Sequence, residues 1–271
     1  MIAPMRPIAA VAVASCLAAC VTAPRAPQAE TTPAPAPSAA TLQPFVQQIA
    51  GSAVSFEMVP LPASPDGSIR ACWVGKTEVP WELFDICVFK LDQKAGVPGA
   101  ADAVTRPTKP YISVDRGFGH NGWPAISMSF RGATAFCEWL SAMTGRHYRL
   151  PSVAEWEYIC GRAGIDASEL PAAAWYATNA KGRTHKVASA TADDSGLHDI
   201  YGNVGEWAVQ SDGVGVVVGG CFSDDAAHVG CAARAADTPA WNDSDPQFPK
   251  SQWWLADANF VGMRLICEQE K

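Results

Sequence analysis

The chain has 271 residues, of which 48% are hydrophobic, and a formal net charge of -7 at pH 7. This length permits one large or two small domains with a substantial core. The acidic balance argues against a nucleic acid partner, which a basic surface would have to attract. The sequence has neither a GxSxG motif nor a Walker loop, and this excludes the commonest serine hydrolase and nucleoside triphosphate sites.

The N-terminal residues predict export. Residues 1–19 contain an apolar run that is too short to span a bilayer and is typical of a signal peptide. The run ends at Cys20 in Leu-Ala-Ala-Cys, which resembles the lipobox of bacterial lipoproteins, where the cysteine thiol receives diacylglycerol. An ordinary signal peptide followed by a chance cysteine is the alternative. If the lipobox is used, we expect the lipid to attach the protein to a membrane of the cell envelope, either facing the periplasm or in the outer membrane. Val21, which follows the cysteine, favours the outer membrane.

A tether follows the predicted lipidation site. Residues 20–43 consist mainly of Ala, Pro, Thr and Ser, so they cannot bury enough apolar surface to offset the entropy of ordering. Their prolines favour an extended chain. The remaining residues, 44–271, show no second linker and are predicted to form a single domain.

Strands and one helix open this domain. The sequence predicts short strands over residues 56–60 and 71–79. Pro80 is suited to the first turn of a helix that continues to Cys87. The Gly, Pro and Asp content of residues 94–123 predicts a long ordered loop.

Two helices with clear start signals come next. Ser129 is suited to cap one helix, and Gly145 lies just past its end. Ser152 and Glu155 form a capping box at the start of the other. From residue 172 onward the helical period is almost absent, which predicts loops and short strands. The residues predicted to face inward are Ala133, Phe136, Cys137 and Leu140 in the first helix and Trp156, Ile159, Cys160 and Ala163 in the second.

Seven cysteines follow the predicted lipidation site. They are Cys72, Cys87, Cys137, Cys160, Cys221, Cys231 and Cys267. Export favours disulfides, but an odd number leaves one thiol free or intermolecular, and the sequence does not choose the connectivity. The absence of a CxxC motif argues against a structural zinc site.

The segment LHDIYGNVGEW, residues 197–207, alternates oxygen-bearing side chains with glycines. Such a turn can direct carboxylates and carbonyls at one point, which suits a hard cation such as calcium. The alternative is a simple Gly-Asn turn in which the Asn side chain bonds its own backbone. The oxygen-bearing residues are Asp199, Asn203 and Glu206, and the glycines between them are Gly202 and Gly205.

These motifs together resemble the formylglycine-generating enzyme, or sulfatase-modifying factor, family. The matching segments are RLPSVAEWEYICGRAG, LHDIYGNVGEW, Gly219-Gly220, CAARAADTP and VGMRL, in the family's order, with GKTEV nearer the start. The resemblance implies an α+β fold, the family's variant of the C-type lectin fold, which has little regular secondary structure and is stapled by disulfides. It covers residues 44–271.

The resemblance also implies specific bonds and ligands. Two disulfides would join Cys137 to Cys267 and Cys160 to Cys231, although Cys267 lies two residues later than the usual place; Cys72 and Cys87 then pair with each other, leaving Cys221 as the odd thiol. A calcium ion would be bound by the side chains of Asp199 and Glu206 and the carbonyls of Gly202 and Val204. Asn179 resembles a ligand of a second calcium site, whose following segment is shortened here.

The departures from the family concern catalysis. Aerobic formylglycine-generating enzymes bind copper through two cysteines that follow GGS. Here Cys221 stands at the Ser place, Asp224 stands at the first cysteine's place, and no other cysteine precedes Cys231. Because copper(I) prefers thiolate ligands, this segment does not favour copper. Family members that use iron do so through a separate helical domain, which the sequence does not predict. Gly205 replaces the first Trp of GNVWEW.

Two functions are consistent with this pattern, and whether the protein is an enzyme stays open. The first is a non-catalytic lipoprotein that binds a protein or a glycan at the cell envelope through the loops of residues 223–258. Trp241, Trp253 and Trp254 lie in these loops, where they serve either binding or packing. The alternative is a formylglycine-generating-type oxidoreductase that oxidises a protein cysteine or a related substrate, as relatives in ergothioneine and pyoverdine maturation suggest, with Cys221 as the candidate catalytic residue.

Overall fold

The computed structural model describes residues 42–93, 100–111 and 113–269. The predicted signal peptide, the lipobox cysteine Cys20 and almost all of the tether lie outside the described residues. None of the helices in the described part of the chain has the length and apolar character needed to span a bilayer.

Two small sheets and a few short helices make up the fold, as expected for an α+β domain. The helices are α1 (Trp81–Val88), α2 (Phe130–Thr144), α3 (Val153–Gly161) and α4 (Leu170–Ala173), with 3-10 turns at Ala100–Ala103 and Pro239–Asn242. The strands are β1 (Phe45–Gln48), β2 (Ser55–Leu61), β3 (Cys72–Gly75), β4 (Tyr148–Arg149), β5 (Gly205–Val209), β6 (Gly215–Gly219), β7 (Gly230–Ala236), β8 (Val261–Gly262) and β9 (Ile266–Cys267). One sheet has the order β1-β2-β3-β9-β4 and the other β7-β6-β5-β8.

The helix boundaries follow the local signals in the sequence. The Ser129 hydroxyl accepts a hydrogen bond from the Gly132 N–H, and Gly145 ends α2 with a left-handed φ of 74°. The capping box at Ser152 and Glu155 is complete, with both reciprocal hydrogen bonds present. Each bond satisfies an N–H that has no partner within the helix. The predicted inward faces of both helices are buried.

Two large apolar clusters form most of the core, and a third, small one contains Leu170, Ala174 and Tyr176. The larger joins α1 and α2 through ring contacts such as Phe84–Phe136, with centroids 5.1 Å apart. The smaller surrounds Trp156 of α3 and includes Val218 and Ile266 from the two sheets. Burying a side chain of this size contributes roughly 1.5–3 kcal/mol relative to exposure.

The second sheet presents a different set of residues on each face. Trp207, Val217 and Ala235 stand side by side in register, and because side chains alternate along a strand they share one face. Glu206, Val218 and Arg234 are the next set in register and share the other. The second face packs on α3, where the Trp156 indole donates a hydrogen bond to Glu206.

One of the implied disulfides is confirmed. Cys160 of α3 is bonded to Cys231 of β7, with Cα atoms 5.5 Å apart. The bond fastens the helix to the second sheet across a sequence separation of 71 residues.

The other two disulfides are wrong, because Cys72, Cys87, Cys137 and Cys267 are buried free thiols, as is Cys221. Cys72 packs in the smaller core cluster and Cys87 in the larger one, so the two thiols lie in different parts of the core. Cys267 lies in β9, between Trp73 of β3 and Tyr148 of β4 in the strand register, and its thiol is not bonded to Cys137.

Candidate functional site

The segment predicted to bind calcium forms a tight turn before β5. Asp199, Gly202 and Asn203 have left-handed φ values of 58°, 74° and 52°. At Gly202 a Cβ atom would lie 2.2 Å from the Trp175 carbonyl oxygen, so only glycine allows this approach. The Asn203 N–H donates to the same carbonyl, at 2.7 Å. The turn therefore directs its polar side chains inward.

Glu206 is held by a buried arginine. The Arg264 guanidinium donates to Glu206 Oε1 from Nε at 2.8 Å, and its Nη2 lies 2.7 Å from the same oxygen. The Trp156 indole N–H donates to Oε2 at 2.9 Å. Arg264 also donates to the carbonyls of Gly75 and His198. Both residues are 1% exposed or less. Removing one partner of such a buried ion pair is strongly destabilising, because the other charge is left unpaired.

A second buried carboxylate, Glu78, supports the turn from the other side. Its Oε2 accepts a hydrogen bond from the Asn203 amide at 2.8 Å and its Oε1 accepts one from the Val204 N–H at 3.1 Å. Burial, followed by the neighbouring Asp199 carboxylate, raises the pKa of Glu78 well above its ordinary value. Sequence reasoning missed Glu78 and Arg264 as site residues, although both lie in segments that match the family.

Asp199, Glu78, Glu206 and Arg264 form a buried cluster of charged side chains, and Asp199 accepts fewer hydrogen bonds than the two glutamates. Its Oδ2 accepts a hydrogen bond from the Ala188 N–H at 2.8 Å. Its Oδ1 is buried without a hydrogen-bond partner. Burial raises the pKa of Asp199 to about 6. A buried carboxylate oxygen without a donor is costly, so this position is suited to a cation.

The donor set fits a calcium ion in part. Asp199 offers an oxygen that accepts no hydrogen bond, and Glu78 and Glu206 are buried in the same cluster. Glu206 is already engaged by Arg264 and Trp156. Within the described ranges, no group of three or more His, Cys, Asp or Glu side chains is placed to hold a metal. Calcium would therefore depend on the carbonyls of Gly202 and Val204.

Asn179, the candidate for a second calcium site, does not join this cluster. Its Oδ1 accepts a hydrogen bond from the Tyr176 N–H at 2.9 Å, and its amide donates to the Ala174 carbonyl at 2.8 Å. Both ends of the side chain thus stabilise the turn after α4, as Asn side chains commonly do.

A cavity of about 600 Å³ opens on the Trp207 face of the second sheet. Its floor is made of small residues of β5, β6 and β7, namely Gly205, Val217, Ala233 and Ala235. Trp241 and Phe260 form its wall, with ring centroids 5.3 Å apart and planes at 89°. The rim comes from the loop after β6. Of the three tryptophans singled out in the sequence, only Trp241 lines this cavity, whereas Trp253 and Trp254 are buried.

Cys221 lies at the rim, and its thiol is not activated. The side chain is 4% exposed, and its Sγ lies 3.1 Å from the Ser223 hydroxyl oxygen. Its backbone N–H donates to Asp224 Oδ2 at 2.8 Å. Burial raises the pKa of Cys221 to about 11, so the group is a neutral thiol near pH 7. Because the thiolate is the nucleophile and the metal ligand, this environment opposes both roles.

The remaining polar groups at the rim are paired or point elsewhere. His228 Nδ1 lies 2.7 Å from Asp225 Oδ1. The Arg234 guanidinium donates to Glu157 at 2.6 Å and lies over the Trp156 ring, on the opposite face of the sheet. Cys231 is held in the disulfide with Cys160.

These features define a domain with a lectin-like, loop-rich architecture built around a buried ionic cluster. Residues 47–248 match the model of the sulfatase-modifying factor enzyme 1-like domain. Because this match covers most of the chain, the protein belongs to the sulfatase-modifying factor family, and the expected fold is confirmed. No curated protein sequence matches the chain significantly.

Solved structures agree with this fold. Treponema denticola variable protein 1 superimposes with a TM-score of 0.59 and 20% identity, covering 84% of this chain and 100% of the other. PvdO from Pseudomonas aeruginosa superimposes with a TM-score of 0.54 and 20% identity, covering 79% of this chain and 94% of the other. At this level of identity the likeness concerns the fold alone.

Proposed function

We propose that the protein is a non-catalytic member of the family, which binds a protein or a glycan at the cell envelope through the loops of residues 223–258. The proposal rests on the chemical state of Cys221 and Cys231. These two cysteines lie in the segment where the family resemblance implies a copper-binding pair. Cys221 is a buried neutral thiol, and Cys231 is bonded to Cys160. Neither sulfur is available as a thiolate ligand or nucleophile.

The frame beneath these loops suits a binding role. The disulfide and the buried Glu206–Arg264 pair fix the second sheet from its far side. The loops beyond it carry exposed polar side chains, namely Ser223, Asp225, His228, Asp243, Ser244, Gln247 and Lys250, together with the fully exposed Phe248. Binding residues commonly lie on loops that a rigid scaffold positions.

We further propose that the protein is anchored to a membrane by a lipid and that its domain binds calcium. Lipidation at Cys20 and the tether of residues 20–43 would hold the domain of residues 44–271 at an envelope membrane, facing the periplasm or in the outer membrane. Calcium at Asp199 would bind the carboxylate oxygen that accepts no hydrogen bond and stabilise the frame, with carbonyls of Gly202 and Val204 completing the site. It would play no part in a reaction.

Site-specific photo-cross-linking in cells that express the full chain tests the binding role. A benzoylphenylalanine at position 242, in the loop face, is compared with one at position 46, an exposed position on β1 in the other sheet. We expect one discrete adduct from position 242 and none from position 46. Equal labelling from both positions, or none from position 242, would refute binding through this face.

The alternative function is a formylglycine-generating-type oxidoreductase. One observation favours it: Cys221 lines the cavity at the place where the family segment occurs. Its test incubates the copper-loaded protein with a Cys-x-Pro-x-Arg peptide and follows conversion of the peptide cysteine by mass spectrometry. Turnover that is lost in Cys221→Ser would replace the binding proposal. We expect no turnover, because one neutral thiol cannot reproduce a two-thiolate site.

A further inference from the structure

The cavity beside Cys221 has a floor without large side chains. Gly205, Ala233 and Ala235 are the small residues on this face of β5 and β7, and Val217 lies between them on β6. At Gly205 a Cβ atom would lie 2.4 Å from Val217 Cγ1, so a side chain at this position would have to displace the Val217 methyl group. The floor of the hollow is therefore formed by residues of the paired strands.

The wall of the hollow is aromatic. Trp241 and Phe260 meet edge to face, and both rings are only partly buried. Two rings at right angles offer a guest ring both a stacked and an edge-on contact, which are the preferred aromatic geometries. A volume of about 600 Å³ is in the range of small-molecule sites and exceeds what a single ring requires.

The charge at the rim is negative. Asp224 lines the cavity, and in the described part of the chain no ion pair involves its carboxylate. His228 and Arg234 also line the cavity, but each is already paired with a carboxylate, His228 with Asp225 and the Arg234 guanidinium with Glu157. A guest with a cationic group beside its ring therefore complements both the wall and the rim.

We propose that this cavity binds a cationic aromatic amine, with the ring between Trp241 and Phe260 and the ammonium group at Asp224. The proposal deepens the proposed binding function and rests on it. The same chemistry is offered by a free aromatic amine and by an aromatic residue at a peptide N-terminus. Gly205 and Ala235 are then the residues that select for the ring, and Asp224 selects for the charge.

The test uses three probes with the same ring. Tryptamine is the free amine, Trp-Gly-Gly amide is the peptide N-terminus, and indole-3-propionate has the opposite charge. The full chain is titrated with each, and the indole N–H signal of Trp241, assigned with Trp241→Phe, is followed by NMR. We expect saturable binding of at least one cationic probe, at least about threefold tighter than the anion, as an exposed ion pair supplies.

Three variants separate the contributions. Ala235→Leu fills the hollow and is expected to weaken binding at least about tenfold, the effect of excluding a ring from its site. Asp224→Asn keeps an oxygen that can accept the Cys221 N–H, and is expected to remove the preference for the cation while the ring still binds. Gly161→Ala, at an exposed helix position with open space around it, is the control and should bind like the wild type.

The outcomes are distinguishable from those for the proposed function. No saturable binding of any probe, equal affinity for the anion, or unchanged affinity in a folded Ala235→Leu variant would overturn the proposal, even if position 242 forms an adduct. Conversely, turnover of the cysteine peptide would refute the non-catalytic role without touching the affinity for tryptamine. Tighter binding of tryptamine than of the peptide supports a small amine as ligand, and the reverse supports a peptide.

Discussion

The Cys160–Cys231 disulfide should dominate the response of this fold to reductant. It closes a chain segment of 71 residues that contains the whole turn before β5 and the strands β5 and β6. The chain-entropy relation for a loop of this length predicts a stabilisation of roughly 4 kcal/mol, because the bond restricts the unfolded chain. We expect tris(carboxyethyl)phosphine to lower the free energy of unfolding by about this amount.

The assay is urea unfolding followed by tryptophan fluorescence, with and without reductant. The variant C160A/C231A should unfold at lower urea than the wild type and should not respond to reductant at all. Cys221→Ser, which keeps the disulfide, serves as the control and should respond like the wild type. If reductant leaves the wild-type midpoint unchanged, or shifts the double variant equally, the loop-closure argument is refuted.

Four further predictions concern other contacts. Arg264→Met should lower the free energy of unfolding by about 3–5 kcal/mol, because it leaves the buried Glu206 carboxylate without its cation; a loss under 1 kcal/mol in urea unfolding would contradict this. Calcium should raise the melting temperature in a scanning calorimeter, and Asp199→Asn should abolish the increase, whereas an unchanged response would remove Asp199 as a ligand. Burial raises the pKa of Glu155, but the hydrogen bonds it accepts from Arg149 and Ser152 lower it by more, so the net pKa lies below 4.5. The stability that Glu155 contributes is therefore present above pH 4.5 and is lost as the pH falls through the folded pKa. Glu155→Gln should reduce the loss of unfolding free energy at acid pH. Cys20→Ala should abolish metabolic labelling with palmitate, and persistent labelling would exclude the lipobox.

The sequence was informative wherever the signal is local. The capping box at Ser152 and Glu155 spans three residues, so its hydrogen bonds could be predicted without knowing the fold. The inward faces of α2 and α3 followed from helical spacing in the same way. The Cys160–Cys231 bond was reached through several ordered motifs that match one family.

Long-range arrangements were not accessible in this way. The Cys137–Cys267 and Cys72–Cys87 bonds failed because the strand partners of Cys267, and the separation of Cys72 and Cys87 into different core clusters, appear only in the folded chain. Glu78 lies 125 residues from the Asn203 amide that it binds. No sequence period connects such groups, so their role required the folded chain.

The sequence by itself therefore determined the family, the helix starts and the absence of the cysteine pair expected for copper, because each depends on residue identity at short or matched spacing. Only the tertiary structure decided which carboxylates surround Arg264, which thiols are bonded, and that small residues on three strands leave a cavity against Trp241 and Phe260. These depend on strand register and on which side chains alternate to the same face of a sheet, and one shift in register would reverse them.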